Sequence, residues 1–245
     1  MTPVVPAPVA TGPEGLAARL ADVERAVRDP ATPEAGLGPL GETEELATHQ
    51  LVDHPDCIGR VLALLAGQAR PIVAANADAV AELRAITPPR TALPPWRVVP
   101  PRPAAELMAY YREAERLSGV PWYWLAAVHH VETRMGRIRG TSTAGAQGPM
   151  QFLPATWSVY GRGGDIYSDH DSILAAARLL AANGAPARTS SALSAYNHSS
   201  HYVAAVTDYA LQMRSDERAY LAYYHWQVVY RLVTGDVILP EGYRG

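Results

Sequence analysis

The sequence predicts a mainly α-helical protein, and three features of the residue pattern support that prediction. Apolar residues recur at spacings of three and four through most of the chain, the period of a helix with one buried face. Alternating apolar and polar runs, which are typical of half-buried strands, are nearly absent. Proline and glycine clusters divide the pattern into segments of ordinary helix length.

Residues 15–87 are predicted to form an N-terminal helical region. Its first helix ends at Asp29-Pro30, because proline cannot continue the pattern. The apolar residues that carry the helical spacing are Leu16, Leu20, Val23 and Val27. Residues 31–41 are rich in proline and glycine, and we expect a loop there before a second helix that starts at Thr43.

Two further helices complete this region, which carries no catalytic pattern. Asp56 is expected to be the N-cap of a helix over 57–65, since aspartate accepts hydrogen bonds from a first helical turn. Pro71 is expected in the first turn of the next helix, which extends through Ile86.

Residues 88–103 contain too many prolines for a helix and are expected to form an extended connector. The helical pattern returns over 104–235, which is predicted to be a second, larger domain. After a first helix from residue 104, its helices are predicted over 121–135, 154–160, 171–183, 189–196, 200–213 and 217–233. Residues 236–245 are expected to form a C-terminal tail with a short strand or hook.

The composition is that of a globular protein without the electrostatic features of nucleic-acid binding. Of the 245 residues, 48% are apolar and 18% are charged, and the formal net charge is -3. No run approaches the roughly 18 apolar residues of a membrane span. The single cysteine, Cys57, has no partner for a disulfide or zinc site and is expected to be a small buried side chain.

Residues 1–14, rich in proline, alanine and threonine, are expected to form a disordered linker. They lack the charged and apolar regions of a signal peptide. Linkers of this composition often join an export signal or anchor to a folded domain. We therefore expect an exported protein whose signal lies outside this chain or whose export follows another route.

The segment V-H-H-V-E-T-R-M-G, residues 128–136, contains one glutamate at the edge of an apolar helical stripe. Gly136 is expected to end the helix, which puts Glu132 in the last turn. Partial burial and the negative end of the helix dipole both raise the pKa of a carboxyl there, as a general acid requires, unless Arg134 or Arg137 opposes it. These residues alone leave an ordinary surface glutamate as an alternative.

The neighbouring histidines raise the alternative of a metal site. A zinc protease needs histidines four residues apart, whereas His129 and His130 are adjacent. His129 and Glu132 could supply two ligands, but no third ligand is specified. We therefore expect no metal and place both histidines at the surface or its boundary.

A second metal hypothesis concerns the acidic segment 161–171. Its aspartates, Asp165, Asp169 and Asp171, lack the spacing of a calcium loop. Asp171 is instead expected to be the N-cap of the helix over 171–183.

The segment G-T-S-T-A-G-A-Q-G-P-M-Q-F-L-P-A-T-W, residues 140–157, is a small-residue loop that leads into an apolar patch. Small residues let the backbone approach a ligand closely. Gln151 can donate and accept hydrogen bonds, and Met150, Phe152 and Trp157 offer apolar surface. Together they form a lining suited to sugar rings.

A third motif, S-A-Y-N-H-S-S-H-Y-V at residues 194–203, supplies Tyr196 and Asn197, which can bind sugar hydroxyls or an acetamido group. The order of E-T-R-M-G, the small-residue loop and A-Y-N-H-S resembles the lytic transglycosylases of the lysozyme-like superfamily. The loop is nearest to that of the membrane-bound B-type enzymes. The resemblance covers about residues 105–213 and implies a lysozyme-like helical catalytic domain with an N-terminal helical extension.

The resemblance also implies roles for individual residues. Glu132 corresponds to the family's only acid/base. The positions that match substrate contacts are Ser142, Met150, Gln151, Tyr196 and Asn197, and Phe152 belongs to the same expected lining. No cofactor is implied.

The family's mechanism needs a single carboxyl, since the substrate's own 2-acetamido group replaces the second one. Glu132 is expected to protonate the leaving oxygen of the MurNAc-β-1,4-GlcNAc bond. As a carboxylate, it then takes a proton from the C6 hydroxyl of MurNAc, which closes a 1,6-anhydro ring. The expected partner is therefore the peptidoglycan glycan strand, acted on by a monomer that is secreted or associated with the cell wall.

Two alternatives remain at this point. A muramidase of the same fold would hold a water near Glu132 and hydrolyse the bond. A non-catalytic wall-binding or scaffolding protein would use its N-terminal helices to dock a cell-wall protein partner. The aromatic residues at helical spacing near the C-terminus are expected to pack on those N-terminal helices; they are Tyr220, Tyr223, Tyr224, Trp226 and Tyr230.

Overall fold

Helices dominate the chain, as the sequence predicts, and the computed structural model describes residues 1–245. The eleven α-helices are Gly12–Arg28 (α1), Leu37–Asp53 (α2), Pro55–Leu64 (α3), Ala69–Ile86 (α4), Ala104–Ser118 (α5), Trp122–Thr133 (α6), Pro154–Tyr160 (α7), Asp169–Ala182 (α8), Thr189–Tyr196 (α9), Ser200–Ser215 (α10) and Glu217–Tyr224 (α11). Two small antiparallel sheets pair Arg97–Val98 (β1) with Ile138–Arg139 (β2), and Val228–Leu232 (β3) with Gly235–Leu239 (β4). No helix is both long and apolar enough to cross a bilayer.

The second helix begins earlier than the composition predicts. α2 starts at Leu37 rather than at Thr43, so most of the loop expected before it is absent. Gly41 provides the physical reason, because a Cβ there would lie 2.4 Å from the carbonyl oxygen of Ala222 in α11. The glycine that indicates a loop in the sequence is used for close helix packing.

The last predicted helix, 217–233, is only half helical. α11 ends at Tyr224, and the next residues form β3, whose β-branched and aromatic side chains favour a strand. β3 pairs with β4, which confirms the short strand expected near the C-terminus. The hairpin spans residues 228–239, so it crosses the boundary that was expected between the larger domain, 104–235, and the C-terminal tail, 236–245.

Two predicted N-caps are displaced. His54 precedes α3, so Asp56 lies inside its first turn. In α8 the Ser168 hydroxyl accepts the N–H of Asp171, at 3.3 Å, and is therefore the cap. Cys57 is partly exposed rather than buried, because α3 is a peripheral helix with a single buried residue.

The N-terminal residues are also more ordered than the expected linker over 1–14. The Val4 N–H donates to the Ile238 carbonyl at 2.9 Å, and the Ile238 N–H donates back at 2.8 Å. These bonds add Val4 to the outer edge of β4. α1 then begins at Gly12, and Gln50 binds the backbone just before it.

Two main hydrophobic cores lie side by side. The larger one is built mainly by α5, α6 and α8–α11, and the smaller one by α1–α4. Ala79 and Val80 of α4 belong to the larger core, so this helix contributes to both. In the connector, Val98 packs on the β3–β4 hairpin.

Buried polar contacts fasten the N-terminal helices to the C-terminal aromatic residues. The Trp226 Nε1–H donates to Glu44 Oε2 at 3.1 Å, and the Tyr223 hydroxyl donates to Asn76 Oδ1 at 2.5 Å. All four side chains are buried. The prediction that the aromatic run packs on the N-terminal helices is confirmed for these two residues.

Glu45→Gln is expected to be at least as stable as the wild type at neutral pH, whereas Glu45→Ala should cost about 1–3 kcal/mol. The Glu45 side chain is fully buried, and burial raises the pKa of its carboxyl to about 8 despite the nearby Arg134. The neutral acid, which glutamine resembles, therefore predominates at pH 7 and accepts the N–H of Gln227 at 2.6 Å.

The pH dependence provides the measurement. Because the folded pKa lies above the ordinary glutamate value of 4.5, this group's contribution to wild-type stability declines as pH rises from 4.5 to 8. The Gln variant should show a smaller decline over that window in urea denaturation. A Gln variant as unstable as the Ala variant at pH 7 would contradict the interpretation.

Candidate functional site

α6, which carries the candidate acid, is buried on nearly all sides rather than along one stripe. His129 and His130 have no solvent exposure, so placing them at the surface or its boundary was wrong. The physical reason is that α5, α8, α10 and α11 all pack around this helix. The Tyr111 hydroxyl lies 2.8 Å from His129 Nδ1, and the Tyr209 ring meets His130 edge-on. Burial lowers the pKa of both histidines, that of His129 to about 4.

Glu132 lies in the last turn of α6, as the sequence predicts, although the helix ends at Thr133 rather than at residue 135. Arg134 adopts a left-handed conformation, with φ of 53°, and ends the helix two residues before Gly136. The Thr133 hydroxyl donates to the carbonyl of Pro149 at 2.6 Å and accepts the Gly136 N–H at 3.0 Å. This side chain therefore fixes the end of α6 against the small-residue loop.

The Glu132 carboxyl combines partial burial with a single strong hydrogen bond. The Tyr202 hydroxyl donates to Glu132 Oε1 at 2.7 Å. Burial raises the pKa of Glu132 to about 7, and the Tyr202 hydrogen bond opposes part of that rise. Arg134 and Arg137, which could have lowered this pKa, form hydrogen bonds with other groups. The carboxyl is therefore poised to give and take a proton near neutral pH.

Tyr202 is a residue of the candidate site that the sequence did not indicate. It lies in the first turn of α10, where the Ser199 hydroxyl accepts its N–H at 3.4 Å. Its ring is nearly parallel to that of Tyr196, with centroids 6.4 Å apart. The sequence contains only a weak signal, because a tyrosine after a serine cap is common. Only the packing of α10 against α6 brings Tyr202 close to Glu132.

The polar side chains of the small-residue loop hold the loop itself. The Ser142 hydroxyl accepts the N–H groups of Ala144 and Ala146, which closes a tight turn. Gln151 has a positive φ of 50°, and its Nε2 donates to two carbonyl oxygens of the same loop. Ser142 lines the same cleft as Glu132, whereas Gln151 does not.

The apolar residues of the expected sugar lining lie in the core. Met150 is 0% and Phe152 is 2% exposed, and the Phe152 ring packs between Trp157 and Tyr196. The Tyr196 hydroxyl donates to the Met150 carbonyl at 2.6 Å. Met150 and Phe152 therefore support Tyr196 instead of lining the cleft. Asn197 is exposed, and its side chain accepts a backbone N–H two residues further on.

Glu132 opens into a cleft of about 730 Å³ between the two helical regions. Glu132, Ser142 and their neighbours form one wall. The rest of the lining comes from outside the motif-bearing segment: it includes Leu83, Arg84 and Thr87 of α4, residues 90–96 of the connector, and Tyr230 and Arg231 of β3. No sequence pattern indicated that these segments would face the candidate acid.

The acidic side chains of the segment considered for calcium form no metal site. No group of three or more His, Cys, Asp or Glu side chains is arranged to hold a metal ion. In the segment considered for calcium, the buried Asp169 lies 3.0 Å from the Arg139 guanidinium and also contacts Arg102. Asp171 accepts the N–H of Asp165.

Comparison with known proteins adds no assignment to this geometry. No protein-family model, no curated protein and no solved structure matches the chain. The order of the motifs and the chemistry of the cleft are therefore the basis for a functional proposal.

Proposed function

We propose that this protein is a lytic transglycosylase with a lysozyme-like catalytic domain. It cleaves the MurNAc-β-1,4-GlcNAc bond of peptidoglycan and leaves 1,6-anhydro-MurNAc. One observation carries the proposal: Glu132 presents to the cleft a partly buried carboxyl whose pKa is about 7. The activity requires a location outside the cytoplasm, where the protein is secreted or associated with the cell wall.

The cleft favours a mechanism that uses one carboxyl. Most glycosidases use a pair of free carboxyl groups on the two sides of the scissile bond. The only other carboxylate that lines this cleft is Asp236, which is held by Arg84 at 2.6 Å. Asp236 is therefore poorly suited to act as a nucleophile or base, and the substrate's acetamido group can take the second role.

Glu132 would act twice in one turnover. As a neutral acid, Glu132 gives its proton to the glycosidic oxygen. At the same time the acetamido oxygen attacks C1, and the bond between C1 and the glycosidic oxygen breaks. The resulting carboxylate then takes the proton from the C6 hydroxyl of MurNAc. The C6 oxygen displaces the acetamido oxygen at C1, and Glu132 is again neutral. A pKa near 7 lets the same group perform both transfers.

Digestion of purified peptidoglycan followed by mass analysis of the muropeptides tests this function. The proposal expects products that carry an anhydro ring and are one water lighter than hydrolytic products. Products of hydrolytic mass would establish the muramidase alternative. Undigested material that still binds the protein would favour the wall-binding alternative.

Tyr202→Phe is expected to shift the falling limb of the pH–rate profile to higher pH, from its wild-type position near pH 7. The Tyr202 hydrogen bond stabilises the Glu132 carboxylate, so its removal raises the pKa of the acid further. The maximal rate should fall about 10-fold or less, because the acid itself remains. The measurement is kcat/KM against pH on soluble glycan strands.

The matched control is Tyr209→Phe, whose hydroxyl is buried without a hydrogen-bond partner in the core. It should leave the pH profile in place. A Tyr202→Phe profile that shifts toward lower pH would contradict the role given to this hydroxyl.

A further inference from the structure

Two arginines lie side by side on the wall of the cleft contributed by the connector and the hairpin. The Arg90 N–H donates to the carbonyl of Arg231 at 2.9 Å, and the Val233 N–H donates to the carbonyl of Arg90 at 2.9 Å. These bonds extend the edge of β3 and fix the two backbones together. Both Arg90 and Arg231 line the cleft that contains Glu132.

Neither guanidinium has a carboxylate partner. Arg90 is exposed and its side chain forms no hydrogen bond, while the Arg231 side chain donates only to the carbonyl of Arg84, at 3.3 Å. Neither residue takes part in any of the ion pairs of the structure. Their donors are therefore free to bind a ligand.

The neighbouring acid, Asp236, forms no ion pair with either arginine, although it lies opposite Arg231 in the β3–β4 pair and the charge of Arg231 lowers the pKa of its carboxyl. Apart from Glu132, Asp236 is the only carboxylate that lines the cleft, and it binds Arg84 at 2.6 Å and His49 at 3.3 Å. Arg84 forms a second ion pair with Asp53, at 2.6 Å. Arg90 and Arg231 thus leave an excess of positive charge on this side of the cleft.

Apolar surface accompanies this charge. Trp96 and Tyr230 line the same cleft, and their rings meet edge-on with centroids 5.4 Å apart. Leu93 and neighbouring prolines of the connector add to it. A ligand suited to this wall carries anionic groups on a partly apolar chain.

We propose that Arg90 and Arg231 bind the carboxylates of the peptide stems that a glycan strand carries. This inference rests on the proposed function, because the stem must reach this wall from a sugar held near Glu132 in the same cleft. A guanidinium fork matches the two oxygens of a carboxylate. The stem is attached through the lactyl group of MurNAc, so a strand bound at Glu132 would carry its stem in the same cleft that Arg90 and Arg231 line.

Binding is measured in the Glu132→Gln background, so that no strand is cleaved during the titration. Three soluble probes are compared: strands with intact stems, strands stripped of their stems, and strands whose stem carboxylates are converted to amides. Intact strands should bind about tenfold more tightly than either of the others, a difference typical of one or two charge-assisted contacts. High salt should reduce the preference.

The double substitution Arg90→Gln and Arg231→Gln should remove the preference for intact strands. Arg116→Gln is the matched control, because Arg116 is an exposed arginine on α5 outside the cleft, and the preference should persist. If the double variant does not fold, Arg90→Gln alone, at an exposed side chain, should reduce the preference severalfold. Equal binding of the three probes, or a preference that survives these substitutions, would overturn the inference.

Cleavage by the wild-type protein separates this inference from the proposed function. Cleavage of stripped strands without any arginine-dependent preference would support the function and refute stem binding. An arginine-dependent preference without cleavage of any strand would support stem binding and refute the enzyme.

Discussion

Glu132→Gln is expected to lower the rate of glycan cleavage by about 10²–10⁴-fold. Glutamine has nearly the same size and can still accept the Tyr202 hydrogen bond at 2.7 Å. Its amide cannot give a proton to the leaving oxygen or take one from the C6 hydroxyl. Both steps assigned to Glu132 are therefore lost while the packing at the end of α6 is kept.

Unfolding does not compete as an explanation for that loss. The folded pKa of Glu132, about 7, exceeds the ordinary glutamate value of 4.5, so this group's contribution to wild-type stability declines as pH rises from 4.5 to 7. A neutral amide avoids that decline, and Glu132→Gln should be at least as stable as wild type at neutral pH. Urea denaturation of both proteins tests this directly.

The activity measurement is the yield of anhydro-muropeptides from purified peptidoglycan. Glu34→Gln is the control, because Glu34 is exposed and outside the cleft. Glu34→Gln should give the same yield of anhydro-muropeptides as the wild type. If Glu132→Gln released anhydro products at the wild-type rate, another group would have to be the acid and the proposed mechanism would be wrong.

The helix containing Glu132 was predictable because its boundaries depend on local signals. Pro121 precedes α6, and the chain turns left-handed at Arg134, close to the glycine that indicates a helix end. The raised pKa followed from the same position. In contrast, the burial of His129 and His130 depends on helices from distant parts of the chain, which periodicity within one helix does not specify.

The loop motif illustrates a second limit of sequence reasoning. Residue types suited to binding a sugar are also suited to packing, and the sequence does not specify which way each side chain points. Met150 and Phe152 turn into the core, while Ser142 and Gln151 bind their own loop. Only Ser142 of these four also lines the cleft with Glu132.

The cleft itself was the least predictable feature. Its second wall combines α4, the proline-rich connector and a strand from the far end of the chain. The connector was expected to be extended, and it is, but its position against β3 depends on backbone bonds such as that between Arg90 and Arg231. Contacts between segments so distant in sequence leave no periodic signal.

The largest effect on stability is expected from Trp226→Ala, which should lower the free energy of unfolding by about 3–5 kcal/mol. Trp226 is fully buried and its ring meets those of Tyr209 and Tyr223 edge-on, with centroids 5.8 and 5.2 Å away. Truncation leaves a large cavity between the two helical regions. It also removes the N–H that binds Glu44 Oε2, so this buried acid keeps only the hydrogen bond from the Asn76 amide to Oε1.

Two further variants separate these contributions. Trp226→Phe keeps an aromatic ring but not the N–H, and it should cost less than Trp226→Ala. Trp124→Ala removes a partly exposed tryptophan and should also cost less. Urea denaturation followed by circular dichroism provides the measurement.

Because Trp226 lies where the N-terminal helices meet the larger core, all helices should unfold in one transition in wild type and in Trp226→Ala. The reason is that α4 contributes side chains to both cores, so neither core stays intact when the other opens. Two separate transitions in the wild type would contradict this coupling. If Trp226→Ala lowered the free energy of unfolding no more than Trp124→Ala, the contacts of Trp226 with Glu44 and the neighbouring rings would not hold the two regions together.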